Sequence, residues 1–130
     1  MNVAATNGTG GELELIDQAI IDRYSQRGPQ LIGMLVDAFL EEAPKYFQDI
    51  RTGMDTSDLS AVRSSAHGLK SCSYNLGAVR LAEICKELEA KAAEGIAEEV
   101  QSSVDVIGPT LFNTEESLKS IKLSALANDV

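Results

Sequence analysis

Between Leu59 and Leu76 the apolar and small residues Leu59, Val62, Ala66, Leu69, Ser73 and Leu76 follow one another in steps of 3, 4, 3, 4 and 3. That spacing lines up side chains along one face of a helix with 3.6 residues per turn. It is incompatible with a strand, whose faces alternate every second residue. A stripe so regular is the seam of a bundle helix, and it must be buried against other helices. At about 100° per residue, His67 lies roughly 130° from the centre of this seam, on the side predicted to face solvent.

The same periodicity recurs along most of the chain. Leu15, Ile16, Ala19 and Ile20 start a helical pattern near Leu13 that closes at Arg27-Gly28-Pro29, a combination that stops helices. A second segment, roughly 30–53, carries Leu31, Leu35, Phe39, Ala43, Tyr46 and Ile50 on one face. Pro44 does not shift the phase of that stripe, so the pattern predicts one kinked helix there rather than two. Thr56 or Ser57 is the expected N-cap of the third helix. Gly77 punctuates a short turn, and Leu81, Ile84, Cys85, Leu88 and Ala92 form the apolar side of a fourth helix running to Gly95. So short a connection predicts an antiparallel helical hairpin. A last helix through Val100, Val104, Ile107, Leu111, Leu118 and Ile121 keeps its phase across Gly108-Pro109 and is expected to fray near Ser124.

No strand-like alternation or glycine-rich phosphate loop interrupts this series. The predicted fold is therefore all-α, an antiparallel four-helix bundle with an additional short N-terminal helix. Residues 1–11, rich in glycine and small side chains, are expected to be a flexible tail or linker; the bundle domain spans 12–123, and 124–130 form a frayed C-terminus. The whole chain of 130 residues suits a single domain.

Composition narrows the function. A formal net charge of −9 disfavours nucleic-acid binding, which depends on Lys and Arg neutralising phosphates. No run of eighteen apolar residues occurs, and the N-terminus lacks the basic start and apolar stretch of a signal peptide, so a soluble, cytoplasmic protein is expected. Cys72 and Cys85 lack the close Cys and His spacing of a zinc site and are read as reduced thiols, Cys85 as a small buried hydrophobe.

His67 is the only histidine, so any imidazole chemistry belongs to it. On a helix, Arg63 stands one turn before it, Lys70 three residues after it, and Ser64 and Ser71 nearby on the same exposed side. Cations and hydroxyls around one nucleophile would suit a phosphoryl group on the ring, although solvated surface cations give the same pattern. The carboxylates of Glu83, Glu87, Glu89 and Glu94 are read as a solvated face. Met34 falls off the stripe of the second helix and is a candidate for partner docking.

The run Ala66-His67-Gly68-Leu69-Lys70-Ser71-Cys72-Ser73, followed by Leu76-Gly77-Ala78, resembles the signature of histidine-containing phosphotransfer (HPt) domains. The likeness extends over roughly residues 13–122. It takes in Leu35 to Phe39 with the Glu-Glu-Ala-Pro run upstream, and Leu81 through Leu88-Glu89 and Gly95 downstream. The resemblance implies that His67 accepts a phosphoryl group, on its distal ring nitrogen, from the aspartate of one receiver domain and passes it to that of another. The partners would be the receivers of a hybrid sensor kinase and a response regulator. Lys70, and secondarily Arg63, would stabilise phosphoryl charge. No metal or other cofactor is expected on the chain itself, Mg²⁺ coming with the receiver. Nor is a nucleotide site, so the resemblance implies a phosphocarrier without ATP-dependent kinase activity; a monomer is expected. Ser71 departs from the glycine commonest four places after the histidine, and as a small residue one turn along it keeps the ring open to a partner. The reading from another class is a helical adaptor or kinase inhibitor that never carries phosphate.

Overall fold

The computed structural model describes residues 13–127, and the expected tail at 1–11 lies outside them. Five helices follow in order: α1 (Gln18–Ser25), α2 (Pro29–Asp55), α3 (Leu59–Asn75), α4 (Val79–Glu94) and α5 (Ala97–Ala127). α2 and α4 each pack against both α3 and α5, so the four long helices form a ring in which α3 and α5 stand diagonally opposite. No strand occurs among the described residues.

The core is the one the periodicity marked. Val62, Ala66, Leu69, Ser73 and Leu76 of the α3 seam are buried, with Leu59 half-buried at its start. They share one core with Leu81, Cys85 and Leu88 of α4 and Val100, Ile107, Leu111 and Leu118 of α5. Each fully buried Leu or Ile contributes about 1.5–3 kcal/mol relative to exposure, so the seam is the main source of stability. On α2 the buried face is wider than the predicted stripe. Ile32 and Val36 are fully buried beside Phe39, Ala43 and Ile50, whereas Leu31, Leu35 and Tyr46 are half-buried. A helix wedged between α3 and α5 must present apolar side chains to both, which a single line of residues cannot do.

The helix ends carry the corrections. α1 begins at Gln18 and not near Leu13, because the Asp17 carboxylate accepts from the Ala19 amide and caps the helix there. Upstream, the backbone is committed elsewhere: the Arg80 Nε donates to the Leu13 carbonyl (2.8 Å) and the Asp17 amide to the Gly77 carbonyl (2.7 Å). With the Tyr24 hydroxyl donating to the Asn75 carbonyl, these bonds seat the N-terminal segment over the α3–α4 turn. The N-cap of α3 is Asp58, whose carboxylate accepts from the Ala61 amide, and neither Thr56 nor Ser57. Both are taken by the end of α2: the Thr56 hydroxyl donates to the Thr52 carbonyl, and Ser57 adopts the left-handed conformation at φ 56°. The amides of Ser57 and Asp58 then donate to the carbonyls of Met54 and Gly53, closing a Schellman motif. α3 ends in the same motif with Gly77, at φ 80°, in the left-handed position. α2 and α5 run unbroken through Pro44 and Pro109, and α5 continues past Ser124 to Ala127.

Candidate functional site

His67 sits mid-way along α3 with its side chain 61% exposed, pointing away from the seam as the helical angle requires. Its Nδ1 lies 2.9 Å from the Glu89 Oε2. A carboxylate only accepts, so in the neutral ring this contact places the hydrogen on Nδ1 and leaves a lone pair on Nε2. The other Glu89 oxygen accepts from the Lys70 Nζ at 2.7 Å. Glu89 and Lys70 are themselves largely covered, at 21% and 22% side-chain exposure, so the carboxylate is a fixed bracket beneath an open ring. The bond from Lys70 is the chief reason the Glu89 carboxyl titrates below its ordinary range; partial burial opposes the effect and the bond from His67 adds to it.

Glu89 therefore does not belong to a solvated face, contrary to the sequence reading. The signal that could have found it is hairpin symmetry. In an antiparallel pair turning at Gly77, a residue ten places before the turn faces one about as far beyond it, and Glu89 stands twelve places after. Tyr74 and Glu83 form a second pair across the same hairpin, closer to the turn, and the tyrosine hydroxyl donates to that carboxylate.

Gly68 was likewise unexplained by the sequence. A Cβ built there would stand 2.3 Å from the Cε1 and 2.7 Å from the Cζ of Tyr46, so the Tyr46 ring lies directly against the α3 backbone beside His67. Only a hydrogen fits at this crossing of α2 and α3.

The remaining predicted site residues are placed as follows. Ser64 and Ser71 are exposed on α3, one turn or less to either side of His67. Arg63 is exposed on the same helix, and no hydrogen bond or ion pair ties it to His67 or Glu89 among the described residues. Met34 is 68% exposed, as its position off the stripe implies. Twelve residues of α2 separate it from Tyr46, or about 18 Å of helix rise, and the structure does not bring it to His67. Among the described residues no group of His, Cys, Asp and Glu side chains could hold a metal ion. No helix among them is long and apolar enough to cross a membrane.

The sequence matches the Hpt domain family over residues 34–126, which spans His67, Lys70 and Glu89. The chain belongs to the Hpt domain family. Its function is histidine phosphotransfer in a phosphorelay. The fold of this Hpt domain is similar to that of histidine-containing phosphotransfer protein B (HptB) from Pseudomonas aeruginosa. The TM-score is 0.80 at 23% identity, over 85% of this chain and 96% of the other. It is also similar to a rice protein described as a histidine-containing phosphotransfer protein, with a TM-score of 0.69 at 17% identity, over 86% of this chain and 84% of that one. Comparison with curated protein sequences returns no significant match. Hpt domains as a family interact with receiver domains, and the exposed face of α3 is the surface on which this Hpt domain offers its only imidazole.

Proposed function

We propose that this Hpt domain is a cytoplasmic phosphocarrier in which His67 Nε2 takes the phosphoryl group from the aspartyl phosphate of one receiver and yields it to the aspartate of a second. The observation that carries this reading is the bond from Nδ1 to Glu89, which leaves the outward nitrogen unprotonated in an accessible ring. Nε2 attacks phosphorus in line as the bond to the aspartyl oxygen breaks, and the aspartate leaves as a carboxylate. No proton need move, because the ring hydrogen is already on Nδ1. The positive charge that develops on the ring is met by the Glu89 carboxylate.

Lys70 spends one N–H on Glu89 and has two more for the equatorial oxygens of the transferring group, the role expected of it; Arg63, exposed one turn before His67 on the same helix, is the second cation. Ser64 and Ser71 are small enough to let a receiver approach the ring. Met34, at its distance, is at most a rim contact. Mg²⁺ would be supplied by the receiver's acidic cluster, and the chain needs no cofactor or nucleotide of its own. The partners are the receivers of a hybrid sensor kinase and of a response regulator.

Incubation with a phosphorylated receiver and Mg²⁺ should label the protein with an acid-labile, base-stable phosphate. His67→Gln should abolish the label while leaving helicity unchanged. Label persisting on that variant would sink the assignment.

A further inference from the structure

The outer face of α5 carries a second regular stripe that the bundle does not use. Phe112, Glu116, Lys119, Leu123 and Leu126 follow in steps of 4, 3, 4 and 3. At about 100° per residue this line lies roughly 130° from the buried line through Ile107, Leu111, Thr114 and Leu118. Phe112 and Leu123 are 60% and 68% exposed, the least covered large apolar residues of the helix, and Leu126 is exposed beyond them. The alternating step is that of helices that pack on other helices, yet among the described residues no helix covers it.

Its order of residues is self-complementary. Turning a second copy of α5 antiparallel about a two-fold axis midway between residues 117 and 118 sets each position opposite the one with which its number sums to 235. Phe112 then meets Leu123 of the partner subunit, Glu116 meets the partner's Lys119, and Leu126 meets the partner's exposed Pro109. Each contact is repeated by symmetry, the hallmark of an isologous dimer. In a parallel pairing in register, Glu116 would face Glu116 and Lys119 would face Lys119, which is repulsive. The Glu116–Lys119 pair within one helix, 3.1 Å apart, would become half of a four-charge ring closing the centre of the contact.

Departing from the monomer expected from the sequence, we propose that this face is the docking surface for a second copy of the chain, in that antiparallel register. The assembly keeps the site open. α5 is diagonal to α3 in the bundle, so the two His67 rings face away from the contact and remain accessible to receivers. The stripe runs about 21 Å along the helix, which makes a small interface, and the proposed dimer is weak, with dissociation between about 10 µM and about 1 mM.

Sedimentation equilibrium from about 10 µM to about 1 mM is the test, a range that brackets such an affinity. The parent protein should show a concentration-dependent monomer–dimer equilibrium. Glu116→Lys and Lys119→Glu should each weaken it by about tenfold or more, since each places like charges face to face. An equimolar mixture of the two variants should dimerise again, because Lys opposes Glu at every central position of the mixed pair. Phe112→Ser should weaken association with helicity retained by circular dichroism. A parent protein monomeric at every concentration, single variants that associate like the parent, or a mixture that stays monomeric would each overturn the proposal.

Discussion

Replacing Glu89 by Gln should turn the His67 ring over to its other tautomer. In the parent, both Glu89 oxygens accept, one from Nδ1 and one from Lys70. A Gln side chain has the same shape but one acceptor and one donor group. The Lys70 ammonium can only donate, so it takes the amide oxygen. The amide nitrogen is then left facing Nδ1, which must become an acceptor, and the ring hydrogen moves to Nε2, where it blocks attack. A hydrogen bond to a charged group is worth about 1.5–3 kcal/mol. His67 is well exposed, so the lower end applies, and about 1.4 kcal/mol corresponds to a tenfold slower transfer.

Because His67 is the chain's only histidine, ¹⁵N-edited spectra of the imidazole report on this ring alone. Recorded about two pH units above the free imidazole value of about 6.5, they should show Nδ1–H in the parent and Nε2–H in Glu89→Gln. Adding Lys70→Met frees the amide to flip, so that it can meet Nδ1 as donor or acceptor, and Nδ1–H should reappear alongside Nε2–H. Single-turnover transfer from a phosphorylated receiver should fall about tenfold in Glu89→Gln, in line with the energy above. An unchanged tautomer in Glu89→Gln, or a shifted tautomer with parent transfer rates, would refute the positioning role of Glu89.

Gly68→Ala should not deliver the gain of about 1 kcal/mol that Ala offers over Gly in a helix. The new methyl stands 2.3 Å from the Tyr46 ring, which must be displaced, so thermal denaturation should show a neutral to destabilising change and near-ultraviolet dichroism an altered tyrosine signal. Full stabilisation would mean the ring is not held there. Ser57→Gly should stabilise the fold by up to about 1 kcal/mol, since Ser57 occupies the left-handed position that glycine fills at Gly77; a loss in denaturant midpoint would contradict the reading of that turn. Burial pushes the Cys85 thiol up to about 12 and the Cys72 thiol up to about 11, with Glu42 adding to the latter. Both should therefore react slowly with a disulfide reagent at neutral pH and quickly once unfolded, and fast labelling of the native protein would exclude such protected thiols. The bond to Glu83, with some burial, raises the Tyr74 hydroxyl to about 12. The folded value lies above the unfolded value of about 10, so this contribution is complete below that pH and is lost as the pH rises through the folded value. An absorbance titration should show one late tyrosinate that Tyr74→Phe removes.

Helix existence was legible because it rests on local spacing. The step pattern of α3 marks its seam and puts His67 outside it without reference to any other part of the chain, and Gly77 and Gly95 end helices through their own backbone freedom. Helix starts were less legible. α1 starts only at Asp17 because tertiary bonds hold the backbone before it, and Asp58 wins the N-cap of α3 because Thr56 and Ser57 are engaged by the end of the preceding helix. At the site, the imidazole, the lysine and the small residues beside them could be read directly, since all lie on one helix. Glu89 and the Tyr46 ring could not, since each comes from a neighbouring helix.

The sequence by itself determined that this chain would be a bundle of helices with one exposed imidazole beside a lysine, because a 3.6-residue period fixes which face of a helix is wet. Only the tertiary structure decided which nitrogen of that imidazole is free. The relative register of two helices is set by how their side chains interlock over the whole contact, and it is that register which brings the Glu89 carboxylate to Nδ1 and fixes the orientation of an otherwise ordinary surface histidine.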